Sequence, residues 1–218
     1  LTVSGIVFNE MKGAYSSADS LMFKALQEGL YPDTPYAFDS GGNPDVIPLL
    51  THEGLREFHR LYYSPSNARF FLYGDIPTED HLLFLEGMLA GFRRVDVESA
   101  VGVQRRWSAP RRSRHFIPIG RDEKPERKAA LNVGWLMMEN TDEEEAVLLE
   151  VAAYALIGTA AGPLRKALID SGLGEDLSPV SGLEHNLRQI AFAVGLRGTD
   201  PDRADRLETL VMETLREI

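Results

Sequence analysis

The sequence of 218 residues contains no cysteine. This absence excludes disulfide frameworks, thiolate zinc sites and cysteine nucleophiles, so any bound metal must be held by histidine, aspartate or glutamate. No apolar run approaches the roughly 20 residues that a membrane-spanning helix needs. Acidic residues outnumber basic residues, and the formal net charge is −10. This charge argues against general nucleic-acid binding, which requires a basic surface.

Several catalytic motifs are also missing from the sequence. No histidines are spaced as in H-E-x-x-H or H-x-x-E-H, and there is neither a G-x-S-x-G elbow nor a P-loop. His52 and His59 would share one helix face about 10.5 Å apart, which is too far to bind one ion together. We interpret both as surface or packing residues. No signal peptide is visible. Because the first residue is Leu1 rather than Met and already lies in a helical pattern, we expect an excised or processed piece of a longer polypeptide.

The hydrophobic content of 44% and charged content of 26% are typical of a soluble globular protein. Periodicity predicts a helix from Val3 to Glu28, capped by Gly29 and followed by Pro32. Beyond an irregular stretch at 31–50, Thr51 is expected to cap a second helix. A strand is predicted at Ala68–Tyr73, and Pro77 begins another helix.

The second half of the sequence alternates strand and helix patterns. Strands are expected near 115–119, 129–137, 177–183 and 189–196. Helices are expected at 146–157, from Pro163 to Gly172, and after Asp200. The acid run at 142–145 fits the first turn of a helix better than a cation site, because the helix dipole favours carboxylates there.

These patterns predict the α+β class: a partial first α/β unit followed by a second α/β unit, in which helices pack on an antiparallel sheet. We expect domains at 1–96 and 115–218, joined by a basic segment at 97–114. Arginines crowd residues 93–114 with little apolar periodicity. That segment could bind a polyanion or an acidic partner, but with an acidic remainder we favour a solvated linker.

Glu10 is a candidate functional residue because a helical wheel places it inside an apolar stripe. Val3, Ile6, Val7 and Ala14 lie on the same side of the predicted helix. A carboxylate that faces a core must be paired, hydrogen-bonded or metal-bound. Two interpretations remain open for Glu10 at this point, a structural acid and a metal ligand.

Two glycine-containing segments also leave alternatives open. The segment Ser40-Gly41-Gly42 could let a peptide backbone approach closely, or it could form a simple turn. The segment from Gly158 to Pro163 precedes a helix and could hold an anion. We favour a tight turn between two helices for the second segment.

Two sequence blocks together resemble the pitrilysin/insulinase family of zinc metallopeptidases (inverzincins), most closely its presequence-protease-like branch. The first block is Gly5-Ile6-Val7-Phe8-Asn9-Glu10-Met11-Lys12-Gly13-Ala14-Tyr15. The second runs from Asp39-Ser40-Gly41-Gly42-Asn43-Pro44 through Phe58-His59 and Tyr62-Tyr63-Ser64-Pro65-Ser66-Asn67 to Tyr73-Gly74-Asp75. Residues from His115 onward are compatible with the family's second, non-catalytic domain through weaker cues.

The resemblance implies a zinc-dependent endopeptidase that degrades peptides inside a closed chamber by attack of a zinc-activated water. In such enzymes an H-x-x-E-H helix supplies two histidine ligands and the general base, and a distant downstream glutamate supplies the third ligand. Glu10 matches that glutamate. The H-x-x-E-H segment is absent from this sequence, so we expect no catalytic residue here, no zinc bound by this piece alone, and no activity.

Three interpretations follow from these patterns. The first is a fragment of an active zinc peptidase, with peptide substrates and the remainder of the same polypeptide as partners. The second is a non-catalytic family member acting as a scaffold or peptide-binding subunit, and the third is an independent small binding module. We expect no nucleic-acid or membrane partner, possible self-association through exposed apolar surface, and a cytoplasmic or organelle-matrix location.

Overall fold

The computed structural model describes residues 4–218, which divide into two compact units. The larger unit comprises residues 4–44 and 101–218, and the smaller comprises 45–100. These units are defined by contacts within this chain. Their boundaries, after residues 44 and 100, differ from the domain boundaries expected at residues 97 and 115. The predicted division concerns the domains of a longer polypeptide, and it stays a prediction.

The first predicted helix forms as two helices, α1 (Ile6–Ala14) and α2 (Ala18–Leu30). Ser17 separates them because its hydroxyl accepts a hydrogen bond from the Ser20 N–H at 3.4 Å and so begins a new helix. Gly29 lies within α2 rather than capping it, since the helix continues to the buried Leu30 and the Tyr31 N–H closes its last turn by donating to the Gln27 carbonyl. The predicted start at Val3 lies outside the described residues.

The sheet of the larger unit is built on two long antiparallel strands. β1 (Ala129–Glu139) pairs with β4 (Gln189–Thr199), and the short strands β2 (Asp176–Leu177) and β3 (Gly182–Glu184) also pair with β4. The strand predicted at 177–183 is therefore two short strands joined by a turn. α2 packs so close to β1 that a Cβ on Gly134 would lie only 3.0 Å from Leu26 Cδ1.

Three helices cover the other side of this sheet. They are α5 (Glu143–Ala153), which continues as a π-helical turn at Tyr154–Gly158, α6 (Pro163–Asp170) and α7 (Ala204–Glu217). Asp142 caps α5 by accepting from the Glu145 N–H at 3.1 Å, as expected for an acidic first turn. The core consists of Ala153, Ile157, Leu164, Leu168, Leu173, Phe192, Val194, Leu196, Leu207 and Val211.

Residues 143–170 are the one described stretch that is long and apolar enough to cross a membrane by length and composition. The chain turns at 159–162 within this stretch, so α5 and α6 are separate helices. Gly162 lies against the preceding turn, since a Cβ there would be 2.6 Å from the Leu156 carbonyl oxygen. The favoured interpretation of 158–163 as a tight turn between helices is therefore confirmed.

The smaller unit contains α3 (His52–Tyr62) and α4 (Thr78–Leu89). Thr51 caps α3 as predicted, by accepting from the Gly54 N–H at 3.1 Å. The strand predicted at Ala68–Tyr73 is wrong, because the described residues of this unit offer no second strand to pair with it. No described residue between 45 and 100 is buried.

The basic segment has neither helix nor strand, and the strand predicted near 115–119 is also wrong. The segment is nevertheless held to the larger unit. Arg112 forms ion pairs with Asp205 at 2.7 Å and Glu208 at 2.5 Å on α7. These pairs are exposed, and each contributes little to stability.

Candidate functional site

Glu10 lies on α1, and its side chain is exposed rather than directed at a core. The predicted apolar stripe is only partly correct, since Ile6 is 87% exposed and Val7 is 56% exposed, whereas Ala14 is half-buried. The half-buried face instead carries Phe8, Met11 and Ala14. The helical wheel treated the predicted helix as one continuous helix. The helix breaks at 15–17, so α1 and α2 do not share one axis, and the wheel placed part of the stripe on the wrong side of α1.

The face of α1 that carries Glu10 has no cover within the described part of the chain. Ile6 and Gly13, at helical positions i−4 and i+3 from Glu10, flank it on the same exposed side. Among residues 4–218, Glu10 has no ion pair or hydrogen bond. Its carboxylate is therefore available to a group that the described residues do not supply.

The glycine segment at 40–42 contacts α1 at Met11, about 100° around the helix from Glu10. Asp39 Oδ1 accepts from the Gly41 N–H at 2.9 Å, and Gly42 adopts a positive φ of 93°. A Cβ on Gly41 would overlap Met11 Sδ and lie 2.9 Å from Met11 Cε. The segment is thus both a turn and a site of close approach, and what approaches it is the Met11 thioether. This contact joins the two sequence blocks that carry the family resemblance.

A second contact joins the end of α1 to α2. Lys24 Nζ donates to the Tyr15 hydroxyl at 2.6 Å and lies 4.2 Å from the Tyr15 ring centroid. It also pairs with Glu28 at 3.5 Å. Partial burial by itself lowers the pKa of Lys24, but the hydrogen bond to Tyr15 and the Glu28 carboxylate outweigh it, so the pKa is raised. Lys24 therefore stays charged at neutral pH.

The described residues do not assemble a metal site by themselves. No group of three or more histidine, aspartate or glutamate side chains lies close enough to hold an ion within residues 4–218. His52 and His59 are exposed on α3, where His59 stacks on Tyr63 at 4.8 Å. Within the described residues Glu10 is a single exposed carboxylate, and its role as a metal ligand stays a prediction.

Sequence reasoning missed a buried polar cluster around Gln104. This residue is 1% exposed although it lies inside the arginine-rich segment. Its side chain accepts from the Asp33 N–H at 2.8 Å and donates to Asp33 Oδ2 at 2.7 Å, while its main-chain N–H donates to Gln189 Oε1 at 2.6 Å. The segment is therefore not a freely solvated linker at residue 104, and no pattern in the sequence signals this.

Tyr31 completes the same cluster. Its hydroxyl donates to the Gln189 carbonyl at 2.8 Å. Burial raises the pKa of Tyr31, and the charge of Glu184 adds to this, so the hydroxyl remains a neutral donor. The cluster fastens the chain after α2 to the first residue of β4.

Comparison with known proteins defines the class. The family model described as "Peptidase M16 inactive domain" matches residues 49–218. The chain belongs to the peptidase M16 family, which confirms the resemblance found in the sequence.

Individual relatives match over the whole chain. It is 38% identical over 222 residues to the mitochondrial presequence protease of Xenopus tropicalis and 40% identical over 221 residues to presequence protease 1 (chloroplastic/mitochondrial) of Arabidopsis thaliana. It is 36% identical over 219 residues to protein HypA of Clostridium perfringens. Each match covers 100% of this chain but only 20–22% of the relative, so the chain spans about a fifth of their length.

Solved structures support the fold. A peptidase M16 inactive domain from Pseudomonas fluorescens superposes with a TM-score of 0.66 at 21% identity, covering 97% of this chain and 50% of that one. A protease from Helicobacter pylori gives a TM-score of 0.61 at 17% identity, with the same coverage. The predicted α+β class is confirmed.

Proposed function

We propose that this chain is part of a zinc-dependent endopeptidase that degrades peptides, and that Glu10 is one of the ligands of its zinc. Zinc, when bound, supplies the activated water that attacks the peptide bond. The observation that supports the role of Glu10 is its exposed carboxylate, which no described residue pairs with, on a helix that contacts the rest of the larger unit through the neighbouring Met11. Presequence proteases as relatives along the whole chain support the activity class.

The part of Glu10 in this proposal is to offer one charged oxygen ligand to an ion whose remaining ligands lie outside the chain. A catalytic zinc site commonly has three protein ligands and leaves one position open. The uncovered face around Ile6 is where the segment that supplies those ligands would pack. Peptides would be the substrates, and the rest of the polypeptide the necessary partner. The location would be an organelle matrix in a eukaryote or the cytoplasm in a bacterium.

The test is Glu10→Gln in the longer natural protein, with zinc content measured by elemental analysis after dialysis. We expect a large loss of bound zinc and of peptidase activity at unchanged secondary structure, because the amide removes a charged ligand while keeping its shape. Glu86→Gln, at an exposed position on α4, is the matched control and should retain zinc. Unchanged zinc affinity in Glu10→Gln would refute the ligand assignment.

A second candidate function is a non-catalytic scaffold or peptide-binding subunit. The observation that favours it is that residues 49–218 match a family model described as an inactive domain. One measurement distinguishes the two functions. If the second is correct, the longer wild-type protein should hold no zinc and cleave no peptide. A parent sequence with an intact H-x-x-E-H motif would exclude this second candidate.

A further inference from the structure

Core packing does not determine how α1 is oriented. No residue of α1 is buried, whereas α2 ends at Leu30 and Tyr31, which pack against the sheet with exposures of 9% and 1%. A short helix in a protein is stabilised mainly by its tertiary contacts, and α1 has only the half-buried face of Phe8, Met11 and Ala14. Within the described residues, the direction in which Glu10 points is therefore set by the few side chains that touch α1.

The contact between Met11 and Gly41 limits rotation of α1 about its axis. Met11 follows Glu10 directly, so their side chains point about 100° apart. The thioether occupies the space that a side chain at residue 41 would need. The turn beneath it is held in shape by the hydrogen bond from the Gly41 N–H to Asp39, so it presents a fixed surface to Met11.

The contact between Tyr15 and Lys24 limits the angle between α1 and α2. Tyr15 is the residue at which α1 ends, and Lys24 lies within α2. The ammonium group of Lys24 lies at the junction of the two helices. It is held there by its hydrogen bond to the Tyr15 hydroxyl, by its position over the Tyr15 ring and by its ion pair with Glu28. Because α2 is packed on the sheet, this contact relates α1 to the body of the larger unit.

We propose that Lys24 and Gly41 are positioning residues that set the direction in which α1 presents Glu10. The inference rests on the proposed role of Glu10 as a zinc ligand. Neither residue would touch the metal. Each acts through α1: Lys24 by its charged hydrogen bond to Tyr15, and Gly41 by leaving room for the Met11 side chain.

The first measurement uses the 218-residue chain and needs no metal. In Lys24→Met, amide hydrogen exchange in residues 6–14 should accelerate about fivefold, the equivalent of losing one hydrogen bond worth ~1 kcal/mol. Gly41→Ala should have a smaller effect in the same direction, because its Cβ displaces the flexible end of the Met11 side chain. Lys166→Met removes the comparable i,i+4 ion pair with Asp170 on α6 and is the matched control, which should leave α1 unchanged.

The second measurement is the zinc dissociation constant of the longer protein, obtained by chelator competition. Lys24→Met should raise it about fivefold, and Gly41→Ala should raise it by a smaller factor, both at unchanged melting temperature. Lys24→Arg should restore most of the affinity, since a guanidinium can still donate to Tyr15 and pair with Glu28. A merely structural role would instead lower the melting temperature and leave zinc affinity unaltered.

The outcomes separate the two proposals. If Glu10→Gln loses zinc while Lys24→Met and Gly41→Ala bind it normally, the positioning inference is overturned and the proposed function stands. If Glu10→Gln itself binds zinc normally, the proposed function fails. Unchanged hydrogen exchange of α1 in both positioning variants would also overturn the inference, whatever the zinc affinity.

Discussion

Gln104 lies at the centre of a hydrogen-bonded cluster that connects three distant parts of the larger unit. Its side chain and main chain together contact Asp33 and Gln189, while Tyr31 reaches the same end of β4. Buried polar groups are costly when they lose their partners, because they have already been removed from water. The contribution of this residue to stability should therefore be large for a position in an irregular segment.

We predict that Gln104→Ala lowers the free energy of unfolding by about 2 kcal/mol, since buried partners are left unsatisfied. Urea denaturation of the 218-residue chain measures this change. The control is the neighbouring Arg105→Ala, at an exposed side chain, which should change stability by less than about 0.5 kcal/mol. Equal effects of the two substitutions would show that Gln104 is not buried in solution.

Among the secondary-structure elements, α5 and α6 differ in how they meet the sheet. α6 buries Leu164 and Leu168 completely. α5 leaves Val147, Leu148 and Val151 between 57% and 68% exposed on its outer face. An apolar outer face adds nothing to the stability of the described chain unless another surface covers it.

We predict that Leu164→Ala lowers the free energy of unfolding by about 3 kcal/mol, because it removes a large side chain from a packed core. Leu148→Ala makes the same chemical change on the outer face of α5 and should cost less than about 0.5 kcal/mol. Both are measured by denaturation at several protein concentrations. A concentration-dependent cost for Leu148→Ala would contradict the second value and indicate self-association through this face.

Element prediction succeeded where the determining signals are local and failed where pairing partners are distant. The cap at Thr51, the acidic first turn at 142–145 and the strand near 129–137 could be predicted because each depends on a few neighbouring residues. The segments 68–73 and 115–119 carry strand-like composition but have no paired strand. Composition alone cannot supply a partner, since a strand is stable only within a sheet.

At the scale of the whole molecule, the described residues offer one candidate ligand in place of a complete metal site. We predict that the purified 218-residue chain holds no stoichiometric zinc and cleaves no fluorogenic peptide, because a single carboxylate cannot hold a catalytic ion. Elemental analysis and a fluorescence assay test this. Bound zinc at one equivalent would contradict the proposal that this chain is an incomplete part of the enzyme.

The sequence by itself determined the family, the α+β class and Glu10 as the residue to examine, because motifs and periodicity are properties of neighbouring positions. The tertiary structure alone decided which face of α1 is exposed, that Met11 lies on Gly41, and that Gln104 is buried. The burial of Gln104, for example, depends on its contact with Gln189, which is 85 residues away. Residues so distant in sequence carry no local sign of each other, and only the packed chain brings them together.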